Sequence, residues 1–127
     1  MPMSIELNHT IVAARDKNAE ARFVTDVLGL PDPAPFGPFA VVELQNGVSL
    51  DFMDTADVPS QHYAFLISEE EFDAVAGRLH DRGVPTYGDP GHQTPGHNTN
   101  DGGRGLYWED PNGHFLEMIT RPYGSGA

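Results

Sequence analysis

The sequence predicts an α+β fold in which strand, helix and strands are read twice along 127 residues. Three observations predict it. Short runs of alternating apolar and polar residues mark strands. Two longer stretches carry a helical apolar stripe between a capping residue and a glycine stop. The order of elements in residues 5–55 returns in residues 60–122, and such a repeat is stronger evidence for architecture than any single element. Two sheets, one from each half, then pair into a curved, half-barrel mixed sheet with the helices outside. The length fits a single domain over 1–127.

Each element has its own justification. Leu7–Ala13 reads as a strand with Leu7, His9 and Ile11 on one face. Asp16–Leu28 reads as a helix, capped by Asp16, striped by Phe23, Val27 and Leu28, and stopped by Gly29. The run Pro31–Pro38 is too rich in proline for a helix or a central strand. Phe39–Leu44 and Val48–Met53 form a hairpin across the turn Gln45-Asn46-Gly47. The second half opens with the strand His62–Ile67. Ser68 and Glu71 then make a capping box. Phe72, Val75 and Leu79 share one face of the second helix, which Gly83 ends. A long loop follows, from Gly88 to Gly105, and loops of that length in a compact domain are usually functional or disordered. Gly105–Trp108 and His114–Ile119 close the chain as a hairpin around Asp110-Pro111-Asn112-Gly113.

Composition narrows the function. Hydrophobic residues make up 39% and charged residues 20%, which is globular usage. There is no cysteine, which excludes a disulfide scaffold, a thiolate zinc site and a cysteine nucleophile. No apolar run reaches the ~18 residues of a membrane span. The start, Met1-Pro2-Met3-Ser4, lacks the pattern of a secretory signal, so a cytoplasmic address is expected. Seven basic residues against nineteen acidic ones give a net charge of −12, which argues against a nucleic-acid partner. The acidity suits solubility, or alternatively a cationic ligand.

The chemistry-bearing residues repeat with the elements. His9 lies in the first strand of one half and His62 opens the first strand of the other. Asp51 lies in the last strand of the first half and Glu117 in the last strand of the second. Each half thus offers an imidazole early and a carboxylate late. A carboxylate on an apolar strand face is costly unless it is paired or binds metal. Two His and one or two carboxylates suit a divalent cation, whether Fe(II), Mn, Ni, Co or Zn. Arg104 and Arg121 are the basic residues near this end of the chain and are candidates for anchoring an anionic substrate.

These residues carry a resemblance. Leu7-Asn8-His9-Thr10-Ile11-Val12, the helix segment Ala21–Leu30, Gln61-His62-Tyr63-Ala64-Phe65 and Tyr107–Glu117 together resemble the vicinal oxygen chelate superfamily. That superfamily groups glyoxalase I, bleomycin-resistance proteins, fosfomycin-resistance thiol transferases and extradiol dioxygenases. The resemblance implies two βαβββ modules forming a cupped sheet, usually in a homodimer, with a divalent metal in the cup. Carried over by motif, it implies His9, His62 and Glu117 as metal ligands. Asp51 stands where glyoxalase I has a fourth ligand, a glutamate one methylene longer. Tyr107 matches a tyrosine beside the substrate. The stretch His97-Asn98-Thr99-Asn100-Asp101 is similar to one that supplies an acid–base histidine in the dioxygenases, although the spacing here is one residue longer.

The function implied is that of a metal-dependent enzyme acting on a small molecule chelated through vicinal oxygens. Ring cleavage of a catechol-like substrate, with Fe(II) or Mn, ranks ahead of glyoxalase-like isomerisation, with Ni, Co or Zn. Fosfomycin modification ranks lower, because no lysine follows Lys17 to line a phosphonate pocket. The alternative from another class is a non-catalytic, bleomycin-resistance-like protein that holds a cationic drug in an acidic groove.

Overall fold

The computed structural model describes residues 4–126; Met1–Met3, part of the start region read above, lie outside the described residues. The chain divides into two compact units, Met1–Val58 and Pro59–Ala127. The division falls between the two sequence modules.

The first unit runs β1 (His9–Ala14), α1 (Lys17–Leu28), β2 (Ala34–Phe36), β3 (Phe39–Glu43) and β4 (Ser49–Asp54). Its sheet has the order β1-β4-β3-β2, with β1 and β4 parallel and the other pairs antiparallel. The Asp16 carboxylate accepts the N–H groups of Asn18 and Ala19, both at 3.1 Å, and so starts α1. Gly29 ends it with φ 70°, a left-handed cap that glycine adopts without strain. The buried stripe of α1 is Ala21, Val24 and Val27 rather than the expected Phe23, Val27 and Leu28, of which Phe23 and Leu28 are half-buried. The helix is therefore rotated, and the small Ala21 and Val24 face inward. The proline-dense segment forms β2 at the sheet's edge, where a missing ladder donor costs nothing.

The second unit runs β5 (His62–Leu66), α2 (Glu69–Asp81), a single 3-10 turn (Asn100–Gly102), β6 (Gly105–Glu109) and β7 (Phe115–Ile119). Its sheet has the order β5-β7-β6, again with the first pair parallel and the second antiparallel. The fourth strand expected of this module is reduced to backbone bridges at Tyr87, which exchanges hydrogen bonds with Tyr107 at 2.8 and 2.9 Å. Pro85, Pro90 and Pro95 surround it and lack the N–H groups a longer ladder needs. Among the described residues neither sheet closes into a barrel. Both units thus realise the expected α+β modules; most strand ends lie within one residue of the sequence reading, β1 starts two residues later than read, and β2 forms in the segment read as a loop.

Two devices hold α2. Ser68 Oγ accepts the Glu71 N–H at 3.1 Å while the Glu71 carboxylate accepts the Ser68 N–H at 3.3 Å, completing the capping box. Phe72, Val75 and Leu79 are buried, as the periodicity predicts. Arg104, at the entrance to β6, donates to Glu69 at 2.7 Å and to Asp73 at 2.8 Å, with its guanidinium 4.3 Å from the centre of the Phe72 ring. Hydrogen bonds from Thr120 and then Arg104 hold the Glu69 carboxyl below its usual range, and the Arg104 hydrogen bond does the same for Asp73.

A depressed carboxyl stabilises the fold above its unfolded pKa, and the contribution is lost as pH falls through the lowered folded value. Arg104→Met is therefore expected to be less stable than the parent at neutral pH, with the gap closing progressively below pH 4.5, the ordinary value for Glu69. Denaturant melts of both proteins along a pH series check this. A gap that stays constant into acid would show that packing against Phe72, not the ion pairs, is what Arg104 supplies. All three charged groups face water, so the effect is modest.

Candidate functional site

The two faces of the β5-β7-β6 sheet divide the labour. Leu106, Trp108, Leu116 and Met118 point to one face and are buried as core. The alternation of β-strands puts Tyr107 and Glu117 on the other. Tyr107 and Glu117 are register partners, Ala64 pairs with Glu117 from the opposite side, and His62 pairs with Phe115, two residues before Glu117. His62, Tyr107 and Glu117 are therefore fixed on one surface by strand pairing alone.

Their side chains meet there. His62 Nε2 lies 3.1 Å from Glu117 Oε1. The second carboxylate oxygen of Glu117 accepts a hydrogen bond from the Tyr123 hydroxyl, and that hydroxyl lies 3.3 Å from the hydroxyl of Tyr107. The His62 and Tyr107 rings are nearly parallel with centres 6.2 Å apart. Glu117 is 1% exposed while the His62 side chain is 49% exposed, so the carboxylate is buried and the imidazole is open to a ligand. A pocket of about 400 Å³ opens on these groups, lined by His62, Pro90, Tyr107, Phe115, Glu117 and Tyr123. Burial, followed by the hydrogen bond to Glu117, pushes the Tyr123 phenol far above the ordinary range; burial likewise raises Tyr107. Both phenols stay protonated and serve as donors.

The donor set fits a divalent metal. His62 Nδ1 sits 3.0 Å from the Phe115 carbonyl, which only accepts, so the proton of a neutral ring is on Nδ1. Nε2 then turns a lone pair toward a carboxylate oxygen. Two lone pairs at that distance need a positive species between them, either a second proton or a cation. A histidine whose other nitrogen donates to a backbone carbonyl is also the usual preparation of a metal ligand.

The first unit repeats the plan. In the second unit His62 pairs with the residue two before Glu117; in the first, His9 pairs with Ser49, two before Asp51. The register of imidazole and carboxylate is the same in both modules. The local environments differ: His9 is exposed with Nδ1 2.7 Å from the Asn8 side chain, and Asp51 is buried and accepts from Ser49 Oγ at 2.8 Å.

Other residues singled out in the sequence lie elsewhere. Arg104, read as a substrate anchor, has its donors taken up by Glu69, Asp73 and the Glu69 carbonyl on α2. His97, read as acid–base histidine, packs edge-on against Phe72 with ring centres 6.2 Å apart and does not line the pocket. The cause is local: Asn98 pairs by its backbone with Gly105 and by its side chain with the Gly88 carbonyl, which fixes His97 on the α2 side of the loop. Arg121 is exposed and also does not line the pocket. His114 is fully buried, its Nδ1 accepting the Gln61 N–H at 3.0 Å, on the face away from Glu117 as its parity predicts. The residue that sequence reasoning missed is Tyr123. It lies beyond the last strand, where no periodicity or motif marks it.

No protein-family model matches the chain. Oxidase ChaP-H1 is 59% identical, with a TM-score of 0.93 over 95% of this chain and 99% of that one. Oxidase ChaP-H2 is 57% identical, with a TM-score of 0.95 over 98% of this chain and 100% of that one. The glutathione transferase FosA of Serratia marcescens is 29% identical over 119 residues, which span 88% of this chain and 78% of that protein. A glyoxalase/dioxygenase from Nostoc punctiforme, 21% identical with a TM-score of 0.70 over 92% of this chain and 91% of that one, shares the fold. Among the described residues no helix is long and apolar enough to cross a membrane. The two-module fold, the repeated imidazole–carboxylate register and these likenesses converge: the chain belongs to the vicinal oxygen chelate superfamily of glyoxalases, bleomycin-resistance proteins and dioxygenases.

Proposed function

We propose that this protein is a divalent-metal-dependent oxidative enzyme, dioxygenase-like, acting on a small aromatic molecule that carries vicinal oxygens. The observation that supports this most is the likeness to two oxidases at 59% and 57% identity along nearly the whole chain. The pocket supports it independently, because Phe115, Tyr107, Tyr123 and Pro90 form walls suited to a flat ring beside the His62–Glu117 pair.

His62 and Glu117 would hold the metal in the second unit. His9 and Asp51 occupy the matching imidazole and carboxylate places of the first unit. A bound divalent metal would supply Lewis-acid stabilisation of negative charge on the substrate's vicinal oxygens. The protein's own groups do the rest. The Phe115 carbonyl fixes the tautomer of His62. The Tyr123 proton is committed to Glu117, which leaves the protonated Tyr107 hydroxyl as the donor available to a substrate oxygen on which negative charge develops. Phe115 and Pro90 offer apolar contact on that side. The superfamily's usual homodimer is part of this reading.

Elemental analysis of anaerobically purified protein, joined to oxygen-uptake assays with catechols, tests the proposal. The expected result is stoichiometric Fe or Mn and catechol-dependent oxygen consumption. Ni, Co or Zn without oxygen uptake would replace it with a glyoxalase-like isomerase. No metal, even after reconstitution, would leave the acidic drug-binding protein as the better account.

A further inference from the structure

The residues after β7 are fastened down. The Gly124 N–H donates to Asp101 Oδ1 at 3.0 Å, and the Gly126 N–H reaches the same oxygen at 3.4 Å. The Ser125 hydroxyl and N–H both return to the Pro122 carbonyl, at 2.6 and 3.1 Å, and curl the segment into a turn. The fit is close. A Cβ on Gly126 would come within 1.6 Å of the Asp101 carbonyl oxygen, so any side chain at 126 forces the segment off. Asp101 itself holds φ 57°, a left-handed conformation that Asp and Asn tolerate better than other side chains. The strap Pro122–Gly126 is thus hooked by one aspartate of the long loop, and it delivers the Tyr123 hydroxyl to Glu117.

We infer that Tyr123 is a positioning residue for the metal centre, set in place by the Asp101 hook, and that it decides which oxygen of Glu117 faces the metal. The inference rests on the metal reading given above. A glutamate ligand binds a cation through one oxygen or through both. Here one oxygen is occupied by Tyr123, which leaves the oxygen that faces His62 Nε2. Ligation through that single oxygen keeps a coordination position open, as a chelating substrate requires. Tyr123 also lines the pocket, so the same hydroxyl that orients Glu117 stands beside the substrate. Asp101 belongs to the loop's His97–Asp101 stretch, and its role is to hold the strap.

The test uses apo protein titrated with Co(II), in Tyr123→Phe, Asp101→Ala, Asp101→Asn, Gly126→Val and His62→Ala. Tyr123→Phe and Asp101→Ala are expected to weaken Co(II) binding about 10–100-fold, the usual cost of losing a group that orients a ligand, and to change the visible spectrum of bound Co(II). Asp101→Asn keeps both the acceptor oxygen and the tolerance for positive φ, and is expected to restore parent affinity and spectrum. A readout without metal accompanies these: amide exchange at Gly124 should accelerate in Asp101→Ala and Gly126→Val while the β6–β7 amides keep their protection. Tyr123 is 63% exposed, so Tyr123→Phe leaves the core untouched; Gly126→Val tests the strap without altering any group that touches Glu117. Parent-like Co(II) affinity and spectrum in Tyr123→Phe and Asp101→Ala, with binding lost in His62→Ala, overturns the role of Tyr123 and leaves the metal centre standing. Unchanged exchange at Gly124 in Asp101→Ala overturns the hook. Parent-like binding in His62→Ala overturns the metal reading and this inference with it.

Discussion

His62→Ala is expected to lose bound metal while keeping its sheets. The ring is half-exposed, so its removal takes little apolar contact from the core. Glu117 stays buried, and breaking a fully buried ion pair costs about 3–5 kcal/mol because one charge is stranded. Here the loss is smaller, for two reasons. Water enters the space the ring vacates, and the Tyr123 hydroxyl continues to donate to the carboxylate. What does not survive is the convergent pair of donors. Within the second unit Glu117, already engaged on one oxygen, then offers a cation a single atom. Metal content after anaerobic loading, read beside a circular-dichroism melt, checks both halves. A variant that retains metal like the parent would show that His62 is not a ligand.

Trp108→Ala has the largest expected effect on stability. Trp108 is 0% exposed and heads the fully buried side chains of the molecule. It sits on β6 opposite Leu116, on the core face of the sheet. Truncating a buried Trp removes its transfer energy and leaves a cavity, about 3–5 kcal/mol together. For a domain whose whole stability is about 5–15 kcal/mol, that lowers Tm by roughly 10–20 °C. Its indole N–H has no hydrogen-bond partner among the described residues. An unpaired buried donor is itself a cost of about 1–3 kcal/mol, so Trp108→Phe is expected to destabilise by much less than the lost volume implies. Thermal and urea melts of the two variants separate these contributions. A Trp108→Ala protein within about 1 kcal/mol of the parent would mean that this face is not the core.

The two predictions fall on opposite faces of one sheet, which explains what was legible beforehand. Strand parity separates Trp108 from Tyr107 and Leu116 from Glu117, and parity is written in the sequence. The Ser68–Glu71 box and the Phe72, Val75, Leu79 face of α2 were legible because capping and helical periodicity are local. The α1 stripe shares Val27 with the expected one but is rotated by a fraction of a turn, toward Ala21 and Val24. Ala21, Val24 and Val27 form a valid apolar face as well, and only packing chooses between the two. The missing fourth strand of the second unit reflects three prolines whose effect depends on where Tyr87 meets β6.

The sequence by itself determined the two modules, their order of elements, and the imidazole and carboxylate that each carries. These follow from periods of two and 3.6 residues, which neighbouring side chains fix without reference to distant ones. Only the tertiary structure decided which of these groups act together. It put Arg104 on Glu69 and Asp73, turned His97 onto Phe72, and brought Tyr123 to Glu117 through a hook at Asp101. Those pairings join residues 6 to 35 positions apart. The competition among donors for a few buried or half-buried acceptors settles them, and that competition has no period to read.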